Sequence, residues 1–191
     1  FGDESSGILA AGKDVVVSVS GPLETSGMLS DGVRAVSTLG DAVVVASAGV
    51  TTRGDASHGL RAVGRYGVTD IGAHDDVTTF GAASYGVFGS GENGDVRIAA
   101  NRIVTSGEGS HGVNARTYYA EFYQGMPGTP SETLLNGDID IRVVDVAVTG
   151  AGSIGISARG RGDANLLVGD ASSRHHLAIE SDMIGDIALD L

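Results

Sequence analysis

The side chains of this chain that could do chemistry are carboxylates, a few histidines and one dense group of tyrosines. The 191 residues include 24 Asp and Glu, 12 Lys and Arg, 5 His and no Cys. Without cysteine there is no disulfide, zinc–thiolate site or thiol nucleophile. Cleaving a polysaccharide would take outward carboxylates clustered in one groove, with Arg or Lys from adjacent turns beside them. The nearest candidates are Asp75 with Asp76 and Asp138 with Asp140, both ordinary in a chain of net charge −12. Metal binding would need converging ligands. His175 and His176 are adjacent, and adjacent strand residues face opposite ways, so the pair reads as solvated turn histidines. A Gly-Asp phrase recurs, but without the nonapeptide spacing of calcium-binding β-rolls. Each Asp is expected to cap a turn by bonding its own backbone. The sequence therefore assigns no catalytic residue, no metal and no cofactor, and favours a non-enzymatic chain.

The tyrosines are the better candidates. Tyr118, Tyr119, Phe122 and Tyr123 form the dense aromatic cluster of a chain that is only 5% aromatic. They fall in a stretch, 117–136, that also holds two of the three prolines. Tyrosine is enriched at recognition surfaces, so these four are the candidate ligand contacts. The alternative is that they pack over a corner of the fold as a small satellite core.

What must position these residues is a repeat. Asp31-Gly32-Val33-Arg34-Ala35 returns as His58-Gly59-Leu60-Arg61-Ala62, Tyr85-Gly86-Val87-Phe88-Gly89, His111-Gly112-Val113-Asn114-Ala115 and Ile154-Gly155-Ile156-Ser157-Ala158. The glycines are spaced 27, 27, 26 and 43. A second phrase keeps the same phase at Asp14, Asp41, Val68, Asp95, Asp138, Asp163 and Asp186. A third runs from Thr25, Thr52, Thr79, Thr105 and Val148 through a glycine to a serine five residues on. Within the phrases apolar residues alternate, as in Val96, Ile98 and Ala100, which is strand periodicity with one face inward.

Each unit of about 27 residues thus reads as three short strands joined by glycine-marked turns. One unit cannot bury its own face, but stacked units bury a continuous core. The expected fold is all-β, a right-handed single-stranded parallel β-helix of about seven rungs, roughly 29 Å long at about 4.8 Å per rung. Three inward columns are expected: Val33, Leu60, Val87, Val113, Ile156; Val17, Val44, Ile71, Ile98, Ile141; and Thr25, Thr52, Thr79, Thr105, Val148. Buried threonines require hydroxyl partners in the ladder, and the glycines suit positive-φ corners. The outward residues beside the first column, Arg34, Arg61, Phe88, Asn114 and Ser157, vary freely. The outward sites Glu24, Thr51, Thr78, Val104 and Ala147 form no threonine array of the ice-binding kind. The spacing of 43 places an insertion of about 16 residues within 117–136. No polar cap is evident at either end, so residues 1–191 are expected to be one solenoid segment excised from a longer chain.

An acidic chain with a pI near 4.6 is unsuited to nucleic acid or to anionic lipid, which need clustered Lys and Arg. No apolar run approaches a membrane helix, so direct insertion of this segment is not expected. Gly94-Asp95-Val96-Arg97-Ile98-Ala99, Val104-Thr105-Ser106-Gly107 and Ser110-His111-Gly112-Val113-Asn114-Ala115 resemble the passenger domains of Gram-negative autotransporters. The resemblance is one of repeat texture over roughly residues 12–191. It implies export, display at the bacterial cell surface or in the extracellular space, and a C-terminal translocator barrel elsewhere in the full chain. It implies a role as adhesin or display scaffold, with a host or neighbouring-cell surface protein or glycan as partner. The alternative is a glycan-binding or glycan-cleaving β-helix of the lyase or tailspike kind. No family site residue carries over.

Overall fold

The computed structural model describes residues 2–117, 137–160 and 162–169, together with the backbone of 187–190. It is a parallel β-helix whose coil has three walls. Wall A contains β1 (Ile8–Gly12), β4 (Val33–Ser37), β7 (Leu60–Gly64), β9 (Val87–Gly91), β11 (Val113–Arg116) and β13 (Ile156–Arg159). Wall B contains β2 (Val15–Val19), β5 (Ala42–Ala46), the first parts of β8 (Thr69–Thr79), β10 (Val96–Thr105) and β12 (Ile139–Val148), then β14 (Ala164–Val168) and β15 (Ile187–Asp190). Wall C contains β3 (Leu23–Thr25), β6 (Val50–Thr52) and the second parts of β8, β10 and β12. Every pairing is parallel between equivalent residues of successive turns, such as Val33 with Leu60 and Ile98 with Ile141. Wall B has seven strands, yet about five turns of roughly 27 residues carry all three walls, against the seven rungs that the second phrase implies.

Alternation sets the core. In β4, Val33 and Ala35 are fully buried, while Arg34 and Val36 face outward. The three expected columns are buried, apart from Val148, which is partly buried. A fourth column, Val50, Val77, Ile103 and Val146, lines wall C. β-branched residues suit these walls because they pack well on a pleated surface. At Gly89 an added Cβ would sit 2.8 Å from Val96 Cγ1 and 3.3 Å from Ile98 Cδ1, so the larger residues of wall B fill that space. The change of spacing from 27 to 26 arises at the B–C corner. Ile71 and Val77 are six apart, whereas Ile98 and Ile103 are five apart, and the ladder shifts register there.

Three details differ from the expectations. First, the repeated glycines mostly serve close approach rather than positive φ. A Cβ on Gly54 or Gly81 would overlap the carbonyl of Gly27 or Gly54 in the preceding turn. A Cβ on Gly59 would overlap Val77. The left-handed position lies two residues after the first of these ladders, at Glu4, Leu29, Ala56, Ala83, Gly109 and Gly152.

Second, the buried threonines bond within their own turn. Thr25, Thr52 and Thr79 donate to the carbonyls of Ser30, Ser57 and Ser84 at 2.8, 2.9 and 3.3 Å, which closes the corner. Third, the turn aspartates bond the next turn and not their own backbone. Asp41 Oδ1 accepts the Val68 N–H at 2.8 Å, and Asp138 Oδ1 accepts the Asp163 N–H at 2.9 Å. A corner breaks the strand ladder, and these carboxylates satisfy N–H groups left there.

Candidate functional site

The outer face of wall A is the chemically distinctive surface. Three outward columns meet on it: Asp31, His58, Tyr85, His111 and Ile154 at the corner; Arg34, Arg61, Phe88, Asn114 and Ser157 on the strands; and Val36, Val63, Ser90, Arg116 and Arg159 beyond. The corner column forms a stack. The His58 and Tyr85 rings lie 4.7 Å apart and parallel, and Tyr85 and His111 are 5.0 Å apart. Side-chain acceptors tie it together between turns. Asp31 Oδ1 accepts the His58 N–H at 2.9 Å, His58 Nδ1 accepts the Tyr85 N–H at 3.1 Å, and His111 Nδ1 accepts the Ile154 N–H at 3.1 Å.

Phe88 is the hub of the face. It stacks against His58 at 5.6 Å and Tyr85 at 6.0 Å. Two guanidiniums cover it, Arg116 at 4.5 Å and Arg61 at 5.3 Å from the ring centroid, and it is only 7% exposed. Such cation–π contacts hold an arginine by its flat face and leave its in-plane N–H donors pointing elsewhere.

The electrostatics follow from crowding of cations. His58 is pushed down to about 3, first by burial and then by Arg61, Arg116 and Arg34. It is neutral, as an Nδ1 acceptor must be. Asp31, 3% exposed, is raised above its ordinary value by burial, against the lowering effect of the His58 N–H and of Arg61. The Arg61 guanidinium is 3.8 Å from Asp31 Oδ2 and is itself lowered by burial. The buried Nε atoms of Arg34 and Arg61 have no hydrogen-bond partner.

Beside the hub lies an open cleft of about 390 Å³ lined by Tyr85, His111, Asn114, Arg116, Ile154, Ser157 and Arg159. Asn114 and Ser157 belong to the outward column that the sequence treats as freely varying, and Arg116 and Arg159 to the column beyond it. The register brings them together, and the stacked corner column could be found from Asp31, His58, Tyr85 and His111 recurring directly before the glycine.

Asp76 pairs with Arg102 at 3.0 Å, and Arg102 also reaches Asp145 at 3.2 Å in the following turn. Asp140 pairs with Arg142 at 3.1 Å, while Asp138 holds the Asp163 N–H. Neither acid pair therefore forms a converging, unpaired couple. Tyr118, Tyr119, Phe122, Tyr123, His175 and His176 lie outside the described residues. The insertion's flanks are held: the Thr117 N–H donates to the Arg159 carbonyl at 3.0 Å, and the Asp138 N–H to Asp95 Oδ1 at 3.1 Å. It leaves from the A–B corner one residue after Arg116. Among the described residues no group of three His, Asp or Glu is arranged to hold a metal ion, and no helix is long and apolar enough to cross a membrane. No protein-family model, curated protein or solved structure matches the chain.

Proposed function

We propose that this chain is a non-enzymatic segment of a bacterial surface or secreted protein, a β-helix that displays a binding face, in the manner of an autotransporter passenger adhesin. The observation that carries this reading is a division between repeated and unrepeated residues. The repeated Ser and Asp bond turn to turn, the repeated Gly let the turns approach, and Thr25, Thr52 and Thr79 close their own corners. Unrepeated outward residues occur on every wall, and those on the outer face of wall A bring aromatic rings, guanidiniums and a cleft together; the insertion after Thr117 also lies outside the repeat. Recognition residues on a rigid scaffold commonly follow that pattern. The partner would be a protein or glycan of a host or neighbouring cell.

A glycan-binding role is the second reading, favoured by the polar cleft at Asn114, Arg116, Ser157 and Arg159. The test is incubation of the purified chain with neutral and acidic polysaccharides, following both retention and release of new chain ends. Retention without new ends agrees with display or binding. New chain ends that vanish on replacing Asp75, Asp76 or Asp140 would show a cleaving enzyme.

A further inference from the structure

We propose that the cleft on wall A is an oxyanion site, and that its ligand is a sugar acid of an acidic glycan. This rests on the display and binding reading above and gives it a ligand class. The chain carries net charge −12, yet none of the described residues lining the cleft is a carboxylate. Its polar lining holds donors, the Arg116 guanidinium, the Asn114 amide and the Ser157 and Tyr85 hydroxyls, with Arg159 and His111 beside them. Arg34 and Arg61 lie on the same wall around Phe88, in register with Asn114 and Ser157. The one buried carboxylate among the described residues, Asp31, accepts the His58 N–H and faces Arg61 at the far end of the stack.

Arg116 is the centre of the site. Its guanidinium lies over the Phe88 ring, 4.5 Å from the centroid, and no carboxylate pairs with it among the described residues. A planar guanidinium held by its face presents a rigid fork that matches a carboxylate or sulfate with two parallel N–H···O bonds. The amide and hydroxyl groups beside it suit the hydroxyls of the same sugar. A volume of about 390 Å³ lies within the roughly 300–1,000 Å³ typical of small-molecule sites, and exceeds what an inorganic anion fills.

The test is calorimetric titration of the full chain with trigalacturonate, with neutral galactotriose, and with inorganic sulfate as a separate arm. Expected are binding of trigalacturonate, at least tenfold weaker binding of galactotriose, and competition by sulfate. Arg116→Gln should weaken trigalacturonate at least tenfold, and Arg116→Lys should restore only part of the loss. Arg102→Gln, on another part of the coil, should change nothing. If circular dichroism shows Arg116→Gln to be misfolded, Asn114→Ala takes its place, with at least threefold weakening expected. Equal binding of the neutral sugar, or unchanged binding in the folded Arg116 or Asn114 variant, overturns the proposal. Sulfate binding without trigalacturonate binding overturns the sugar acid as ligand. Retention on cells by a chain that binds no trigalacturonate defeats this inference alone, whereas cleavage of the sugar defeats the display reading.

Discussion

At Thr105 the repeat keeps its residue type but not its bond. The hydroxyl is buried and without a partner, whereas Thr52 donates to the Ser57 carbonyl at 2.9 Å. An unmade hydrogen bond costs the full desolvation of the group, while a made one contributes about 1 kcal/mol net. Thr105→Val should therefore be neutral or stabilising by about 1 kcal/mol, and Thr52→Val should destabilise by about 1–3 kcal/mol. Urea midpoints of the two variants decide this. Val148, at the equivalent place one turn on, shows that the position accepts valine. His58 gives a pH signature. Its folded value of about 3 lies below its ordinary 6.5, so the neutral form favours the fold. That contribution is complete above about pH 6.5 and is lost as pH falls toward 3. The slope reaches up to about 1.4 kcal/mol per pH unit. Asp31 opposes it, because its raised value favours the fold at low pH and loses that contribution as pH rises. Stability measured from pH 7 to pH 4.5 should fall more steeply in the parent than in His58→Gln.

At the scale of the turn, serines join one coil to the next. Ser57 Oγ accepts the Ser30 N–H at 2.9 Å and donates to the Gly27 carbonyl at 3.0 Å. Ser84 does the same for Ser57 and Gly54, at 3.0 and 3.1 Å. Ser57→Ala strands a buried N–H and a buried carbonyl and should cost about 2–4 kcal/mol in a urea titration. Gly54→Ala drives a methyl into the Gly27 carbonyl and should cost more than the 1–3 kcal/mol typical of overpacking. By contrast, Ala56 adopts φ 52°, and Ala56→Gly should stabilise by up to about 1 kcal/mol through relief of left-handed strain. The strands and columns were legible because period-two alternation and a fixed repeat constrain both which face is inward and which residues pair. The glycine, serine and aspartate ladders were visible as repeated letters, but their partners were not. Whether Asp41 bonds its own backbone or the Val68 N–H depends on how turns stack, which no local pattern encodes. The wall A cluster was missed for the same reason: Phe88 and Arg116 are 28 residues apart and meet only through register.

At the scale of the whole molecule, the coil is a repeated scaffold with an insertion after Thr117. Thr117 is equivalent to Gly91 and Gly137 to Gly94, so only two residues are needed between them, as Glu92 and Asn93 supply one turn earlier. Replacing 118–136 with a Gly-Gly linker should leave the coil folded. Loop length alone changes closure entropy by only about 0.6 kcal/mol per doubling. If Tyr118, Tyr119, Phe122 and Tyr123 instead cover a corner, each Å² of exposed apolar surface costs about 25 cal/mol, and stability drops by several kcal/mol. Display of a binding face is tested by equilibrium retention of the purified chain on cell- or matrix-coated surfaces. Parent, the 118–136 replacement and Arg116→Gln are compared, each shown by circular dichroism to keep its β-structure. A displayed binding face gives saturable retention of the parent, reduced at least tenfold in one or both folded variants. No saturable retention of the parent, or equal retention of all three, would contradict it.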